Sequence, residues 1–161
     1  MTIFDPEIAS MQRRIEELAE QARQIRDDHW SYHLLENASL KPKDKGRLNV
    51  RVRERKGGLE ISWTHYRFIK RDGYTKSTVR SMPIPKGRAH MYRHHSLAVR
   101  GRPWEMEKVW EVESKMAQIR SEYAEVRKAL TALKRMQQKA LDRGDVARPA
   151  KNILMETLQH E

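Results

Sequence analysis

From Ile8 the apolar side chains return at Met11, Ile15, Leu18, Ala22 and Ile25, with spacings of 3, 4, 3, 4 and 3. This a/d stripe predicts a helix from Asp5 to about His29. Asp5-Pro6-Glu7 is expected to open it with an N-cap, a proline tolerated in the first turn and an acid at the positive helix end. The same alternation runs through Val109, Val112, Met116, Ile119, Tyr123, Val126, Leu130, Leu133, Gln137 and Ala140, and predicts a long helix from Pro103 to about Arg143, stopped by Gly144. At about 1.5 Å per residue it spans roughly 60 Å and needs a helical partner. The first helix is expected as an antiparallel mate, with the unmatched part of the seam left for a second copy of the chain. Gln137, polar within the seam, is expected to set register. Ala150, Ile153, Leu154, Thr157 and Leu158 predict a short final helix over 149–160.

Between the long helices the period changes to 2. Arg47-Leu48-Asn49-Val50-Arg51-Val52-Arg53 alternates, Lys56-Gly57-Gly58 supplies a turn, and Leu59-Glu60-Ile61-Ser62-Trp63-Thr64 alternates again. A turn at Arg71-Asp72-Gly73 leads to a third expected strand, Tyr74 to Arg80, and Pro83 and Pro85 end the pairing. Lys86 to Arg102 has little periodicity and reads as a basic loop or a short irregular helix. The expected fold is α+β: two long coiled-coil-like helices with an inserted three-stranded antiparallel β-meander over residues 40–102 and a short C-terminal helix, in a single elongated domain over 1–161.

Composition sharpens this picture. Only 38% of the 161 residues are hydrophobic and 34% are charged, which suits exposed helices. Without cysteine, disulfides and thiolate chemistry are excluded. No apolar run reaches the roughly 20 residues of a bilayer-spanning helix, and the first residues do not read as a signal peptide, so a cytoplasmic protein without a membrane partner is expected. The formal charge of +11 is concentrated: Lys41–Arg102 holds 18 Lys and Arg against 4 Asp and Glu, a net of +14, and the remainder nets −3. A local field of that sign suits a phosphate backbone.

The alternation then nominates a surface. If Leu48, Val50 and Val52 face the helices, Arg47, Asn49, Arg51 and Arg53 project from the opposite side. The same phase sends Leu59, Ile61 and Trp63 inward and Ser62, Thr64 and Tyr66 outward, and lets the third strand present Lys76, Thr78 and Arg80. Arg55, Lys56, Arg67, Lys86, Arg88, Arg93, Arg100 and Arg102 extend the candidate DNA-binding set. Arg can pair with guanine and Asn with adenine, Ser, Thr and Lys bind phosphate, and a strand ribbon fits the major groove. Trp63, Tyr66, Phe68 and Tyr74 offer stacking faces for unpaired bases. Trp63, Trp104 and Trp110, however, are expected to pack in the core.

The histidines raise the alternative of an enzyme. His65, His90, His94 and His95 with Tyr66 and Tyr92 invite comparison with metal-bound tyrosine nickases. The spacing argues against it: His94 and His95 are adjacent, and no acid lies between Asp72 and Glu105 to support a cation. Glu105, Glu107, Glu111 and Glu113 read as acids complementing the helix dipole and nearby Arg. No phosphate-cradling glycine loop or nucleophile elbow occurs. The expectation is no catalysis, no cofactor, no metal and no small-molecule substrate.

Arg47 to Arg53, Gly58-Leu59-Glu60-Ile61-Ser62-Trp63, Tyr66-Arg67-Phe68, Lys86-Gly87-Arg88 and Trp104-Glu105 with the Glu-rich helix behind them resemble the MobI-type conjugative transfer proteins, over roughly residues 30 to 130. The resemblance implies an auxiliary mobilisation factor, acting at the origin of transfer and assisting the relaxase, and it carries over no catalytic residues. The outer helices and the His-rich tract are not part of it. The functional expectation is a non-enzymatic protein binding double-stranded DNA at a specific site, as a homodimer. The alternative is an adaptor for RNA or an acidic protein partner in a ribonucleoprotein or other complex.

Overall fold

The computed structural model describes residues 2–69, 73 and 78–144. The elements are α1 (Asp5–Asn37), β1 (Leu48–Arg55), β2 (Gly58–Ile69), β3 (Thr78–Pro83), α2 (His94–Ala98), a 3-10 turn (Pro103–Glu105) and α3 (Met106–Asp142). They form the expected α+β set, with one antiparallel sheet in the order β1-β2-β3. Most of the turn before β3, Tyr74, Lys76 and the expected final helix over 149–160 lie outside the described residues. The chain divides into two compact units, one of residues Glu17–Tyr123 and one of Met1–Glu16 with Ala124–Glu161.

In the first unit the sheet is covered on one face. Leu48, Val50, Ile61 and Trp63 form a core with Leu18 and Ala22 of α1 and Val109, Val112, Met116 and Ile119 of α3, closed by Ile84, Tyr92 and Leu97. Burial of apolar area is the main stabilising term here. The β1–β2 hairpin closes over Lys56 and Gly57, whose φ values of 47° and 74° are those of a two-residue primed turn.

Two buried acids complete this unit, and they do more than the expected complementing of the helix dipole and nearby Arg: Glu105 caps the helix start and Glu113 pairs with Arg120, but both also bind groups from elsewhere in the chain. Glu113 is fully buried. It accepts from the Trp63 indole (2.7 Å) and the Tyr92 N–H (2.8 Å), and from both terminal nitrogens of Arg120 (2.8 and 3.2 Å). Arg120 also donates to the carbonyls of Ile61 and His90. Glu105 accepts from the backbone N–H groups of Arg47 (2.8 Å), Leu48 (2.9 Å) and Arg102 (2.9 Å). A buried carboxylate is tolerable only with such a full set of donors.

α1 runs to Asn37, eight residues beyond the expected His29. His29 is buried at the next position of the stripe, where an apolar residue is called for, and His33 is buried one turn further on. The His29 ring meets Trp63 edge-on at 5.2 Å and bonds the Leu48 carbonyl at 3.3 Å. Burial pushes the His29 pKa down to about 4, and that of His33 in the same direction. The extension makes α1 33 residues long against 37 for α3, which removes unequal length as an argument for a second copy.

In the second unit Ile8, Leu130 and Ala140 are buried. Asp5 is not the N-cap. Its carboxylate instead reaches back to the Thr2 N–H and hydroxyl, both at 2.7 Å, as a third-position acid does in a capping box. These Thr2 bonds hold the Asp5 carboxyl below its ordinary range. Gln137, expected to set register, donates to Asp5 Oδ1 (2.6 Å) and Thr2 Oγ1 (3.1 Å).

α3 ends at Asp142, and Gly144 follows with a φ of 74°, as a helix stop requires. β3 begins at Thr78 and ends at Pro83 on an edge strand, three residues later than the expected end at Arg80. The tract from Lys86 to Arg102, expected as a basic loop or a short irregular helix, contains the short α2 between irregular segments.

Candidate nucleic-acid interface

The pairing of β1 with β2 fixes which side chains share the uncovered face. Asn49 lies opposite Thr64, Arg51 opposite Ser62, Arg53 opposite Glu60 and Arg55 opposite Gly58. Leu48, Val50, Trp63 and Ile61 take the alternate positions and the core. The outward phase expected for Arg47, Asn49, Arg51, Arg53 and Ser62 is therefore the observed one. Arg47, Asn49, Arg51, Arg53 and Ser62 are half-buried, while Arg55 and Lys56 at the turn are exposed.

This face is rich in unmet hydrogen-bonding capacity. Arg47 Nε, Asn49 Oδ1, Arg51 Nε and Ser62 Oγ are covered and have no hydrogen-bond partner. Polar atoms in that state are rare in a folded protein and call for an explanation. Among the described residues none of Arg47, Arg51 or Arg53 has an ion pair. Thr64 differs from its neighbours: it is 2% exposed and its hydroxyl donates to the Asn49 carbonyl (3.3 Å), so it cannot present itself to a ligand.

The third strand departs from expectation. Thr64 pairs with Pro83, Tyr66 with Ser81, Phe68 with Val79, Arg67 with Arg80 and Ile69 with Thr78. The outward positions of β3 are thus Val79, Ser81 and Pro83, and Thr78 and Arg80 lie with Arg67 on the other face. The reason is parity: the length of the connection sets the register, and a shift of one residue exchanges the faces. Lys76 lies outside the described residues.

Arg67 and Arg80 are both exposed and directly opposed, an arrangement that costs energy until an anion neutralises it. His65, two residues before Arg67, has its pKa lowered by burial first and then by the fields of Arg100, Arg67 and Arg47. Arg67 and Arg80 make a second cluster on the opposite face of the sheet from the Arg51 row.

The tract after β3 contributes a third. A cavity of about 320 Å³ is lined by Lys86, Arg88, Arg93 and Ser96 beside Gly87. Arg88 and Arg93 are exposed, whereas Lys86 donates to the Ala89 carbonyl and its pKa is lowered, chiefly by burial. Arg100 donates to the Ser96 carbonyl (2.7 Å) and Arg102 to the Lys45 carbonyl (3.4 Å), so both also hold the local backbone. Arg102 thereby ties this tract to the approach to β1.

Among the described residues no group of three or more His, Asp or Glu side chains could hold a metal ion. His94 packs edge-on against Trp110 at 5.0 Å. Likewise among the described residues, no helix is long and apolar enough to cross a membrane.

The comparisons with known proteins meet this geometry at one point. Residues 18–134 match the family described as MobI protein. The chain belongs to the MobI family. The match takes in the whole sheet, the Glu105 and Glu113 knots and the His-rich tract, and reaches into both long helices, beyond the span of the resemblance seen in the sequence. Membership suggests a role connected with mobilisation in conjugative transfer. No curated protein and no solved structure matches the chain.

Sequence reasoning missed a further group beside the start of β1. Trp30, His33 and Asn37 of α1 line a cavity with Lys45, Arg47, Tyr66, Phe68 and Val79. Ending α1 at His29 hid it. The available signal was Trp30 and His33, three apart in a helix and therefore side by side.

Proposed function

We propose that this MobI-family protein is a non-enzymatic factor that binds double-stranded DNA at the origin of transfer and assists the relaxase there. The observation that carries the reading is the row formed by Arg47, Asn49, Arg51 and Ser62, each of which leaves one polar atom without a partner, with no ion pair to Arg47, Arg51 or Arg53 among the described residues. Those groups match phosphates and base edges in the major groove, and the surrounding net charge of +14 over Lys41–Arg102 would hold the duplex. Arg55 and Lys56 extend the row toward the turn. The Arg67–Arg80 pair, Arg88 and Arg93 are assigned to flanking phosphates.

The test is a titration of origin-of-transfer fragments and unrelated duplex at several salt concentrations. The reading expects tighter binding to the origin fragment and a log–log salt slope of about −0.9 for each phosphate neutralised. Preference for RNA, or salt-insensitive binding, contradicts it. The proposal includes a homodimer, for which the exposed Leu34 and Leu35 at the end of α1 offer apolar surface. Light scattering at micromolar concentration checks this, and a monomer both free and on DNA refutes it.

A further inference from the structure

The cavity beside the start of β1 has flat walls and a cationic rim. Trp30 and His33 are stacked, with centroids 5.4 Å apart and planes inclined by 13°. Tyr66, 6.4 Å from His33, and Phe68 stand at successive outward positions of β2, and Val79 lies across from Phe68. The polar groups of the floor are already engaged. Asn37 bonds the His33 ring (2.8 Å) and accepts from the Gly46 N–H (2.8 Å), and burial keeps His33 on the neutral side. The space of about 300 Å³ is at the lower end of small-ligand pockets, which run from roughly 300 to 1,000 Å³.

Apolar surface stands open to water here, with Trp30 38%, Phe68 53% and Val79 51% exposed. An aliphatic partner would not account for the cations around it. The Arg47 guanidinium lies 5.8 Å from the Phe68 ring centre, and Lys45 is exposed on the rim. Arg47 also belongs to the row on the uncovered face, and its Nε has no partner. A strand whose phosphate is held at Arg47 therefore has its adjoining base within reach of the aromatic walls. Stacking of this kind tolerates any base, because every base has a π face.

We propose that this pocket takes one unpaired base of the bound DNA, held between the Trp30–His33 stack and the Tyr66 and Phe68 rings. The proposal rests on the DNA-binding reading above and adds that the protein distinguishes locally opened duplex from fully paired duplex. No base chemistry is implied.

Fluorescence anisotropy with three probes tests it: a perfect duplex, the same duplex with a single-adenine bulge, and one with an abasic bulge. The adenine bulge should bind about tenfold tighter than the abasic bulge, the size of one stacked base. Trp30→Ala with Phe68→Leu should erase that ratio and leave affinity for the perfect duplex within about twofold. Trp30→Phe, which keeps a flat ring, should retain most of the ratio. Equal binding of adenine and abasic bulges by the unaltered protein overturns the proposal whatever the variants do. A ratio that survives the double substitution also overturns it. Failure to bind the perfect duplex at all, by contrast, overturns the DNA-binding reading itself.

Discussion

The two faces of the sheet treat polar groups in opposite ways. Beneath it, Glu113 and Glu105 are nearly inaccessible yet receive four and three hydrogen bonds respectively. On the uncovered face, Arg47, Asn49, Arg51 and Ser62 each leave a covered polar atom without a partner. The first set has no capacity left for a ligand and every reason to be structural. Removing a member of it leaves others unpaired at a cost. The proposed function assigns the second set to a bound duplex and expects it to contribute little to folding in the free protein. His29 Nδ1 is the exception beneath the sheet, buried and also without a partner; the remaining four unpaired atoms all lie on the outward face, where the side chains that carry them are half-exposed.

The largest expected effect lies on the satisfied side. Glu113→Ala strands the Arg120 guanidinium, the Trp63 indole and the Tyr92 N–H, and should destabilise the protein by about 3–5 kcal/mol, the cost of breaking a buried ion pair. Denaturant unfolding measures it, and a loss under about 1 kcal/mol would show that the network is not structural.

Acid comes next. His29 is neutral in the fold, with its pKa pushed down to about 4 from an ordinary 6.5, so the unfolded chain takes up the proton first. Stability should be unaffected by this group above pH 6.5 and should fall as pH drops below it. The loss levels off near pH 4 at roughly 3 kcal/mol, and His33 adds in the same direction. Melting curves across that window test this. His29→Gln should flatten the dependence, and an unchanged slope would contradict the assignment.

A finer contrast sits within the outward row of β2. The Thr64 hydroxyl is bonded to the Asn49 carbonyl, while the Ser62 hydroxyl has no partner. Thr64→Val should cost about 1 kcal/mol, and Ser62→Ala should be neutral within about 0.5 kcal/mol or slightly stabilising. If Ser62→Ala proves the more damaging of the two, the division between engaged and free groups fails on this face.

Much of the fold was legible because it follows from local periodicity. The change from a 3.5 to a 2 repeat locates β1 and β2, and alternation alone places Arg47, Asn49, Arg51 and Arg53 outward; the turn read over Lys56-Gly57-Gly58 is tighter in the structure, where Gly58 already pairs with Arg55. What stayed hidden depends on partners distant in the chain. Glu105 and Glu113 read in the sequence only as acids complementing the helix dipole and nearby Arg, because their other donors come from β1, β2 and the Tyr92 segment. The far end of α1 is not legible because His29 occupies an apolar position of the stripe, which only a facing Trp63 and Leu48 carbonyl make favourable. The face of Arg80 is not legible because no local signal gives the parity of a long connection. The aromatic pocket joins residues from both long-range classes and was out of reach for the same reason.

The central claim is that the uncovered face binds DNA without holding the fold together. Its most direct test measures melting temperature and origin-fragment affinity together for Arg51→Ala/Arg53→Ala and for a charge-matched control, Lys134→Ala/Arg135→Ala. The account predicts unchanged melting for both. Only the sheet variant should lose affinity, by about 1–3 kcal/mol, with its salt slope flattened by about one unit for each phosphate contact removed. Equal losses from the two variants would leave only general electrostatic attraction, and a large drop in melting temperature for the sheet variant would show that these arginines serve the fold.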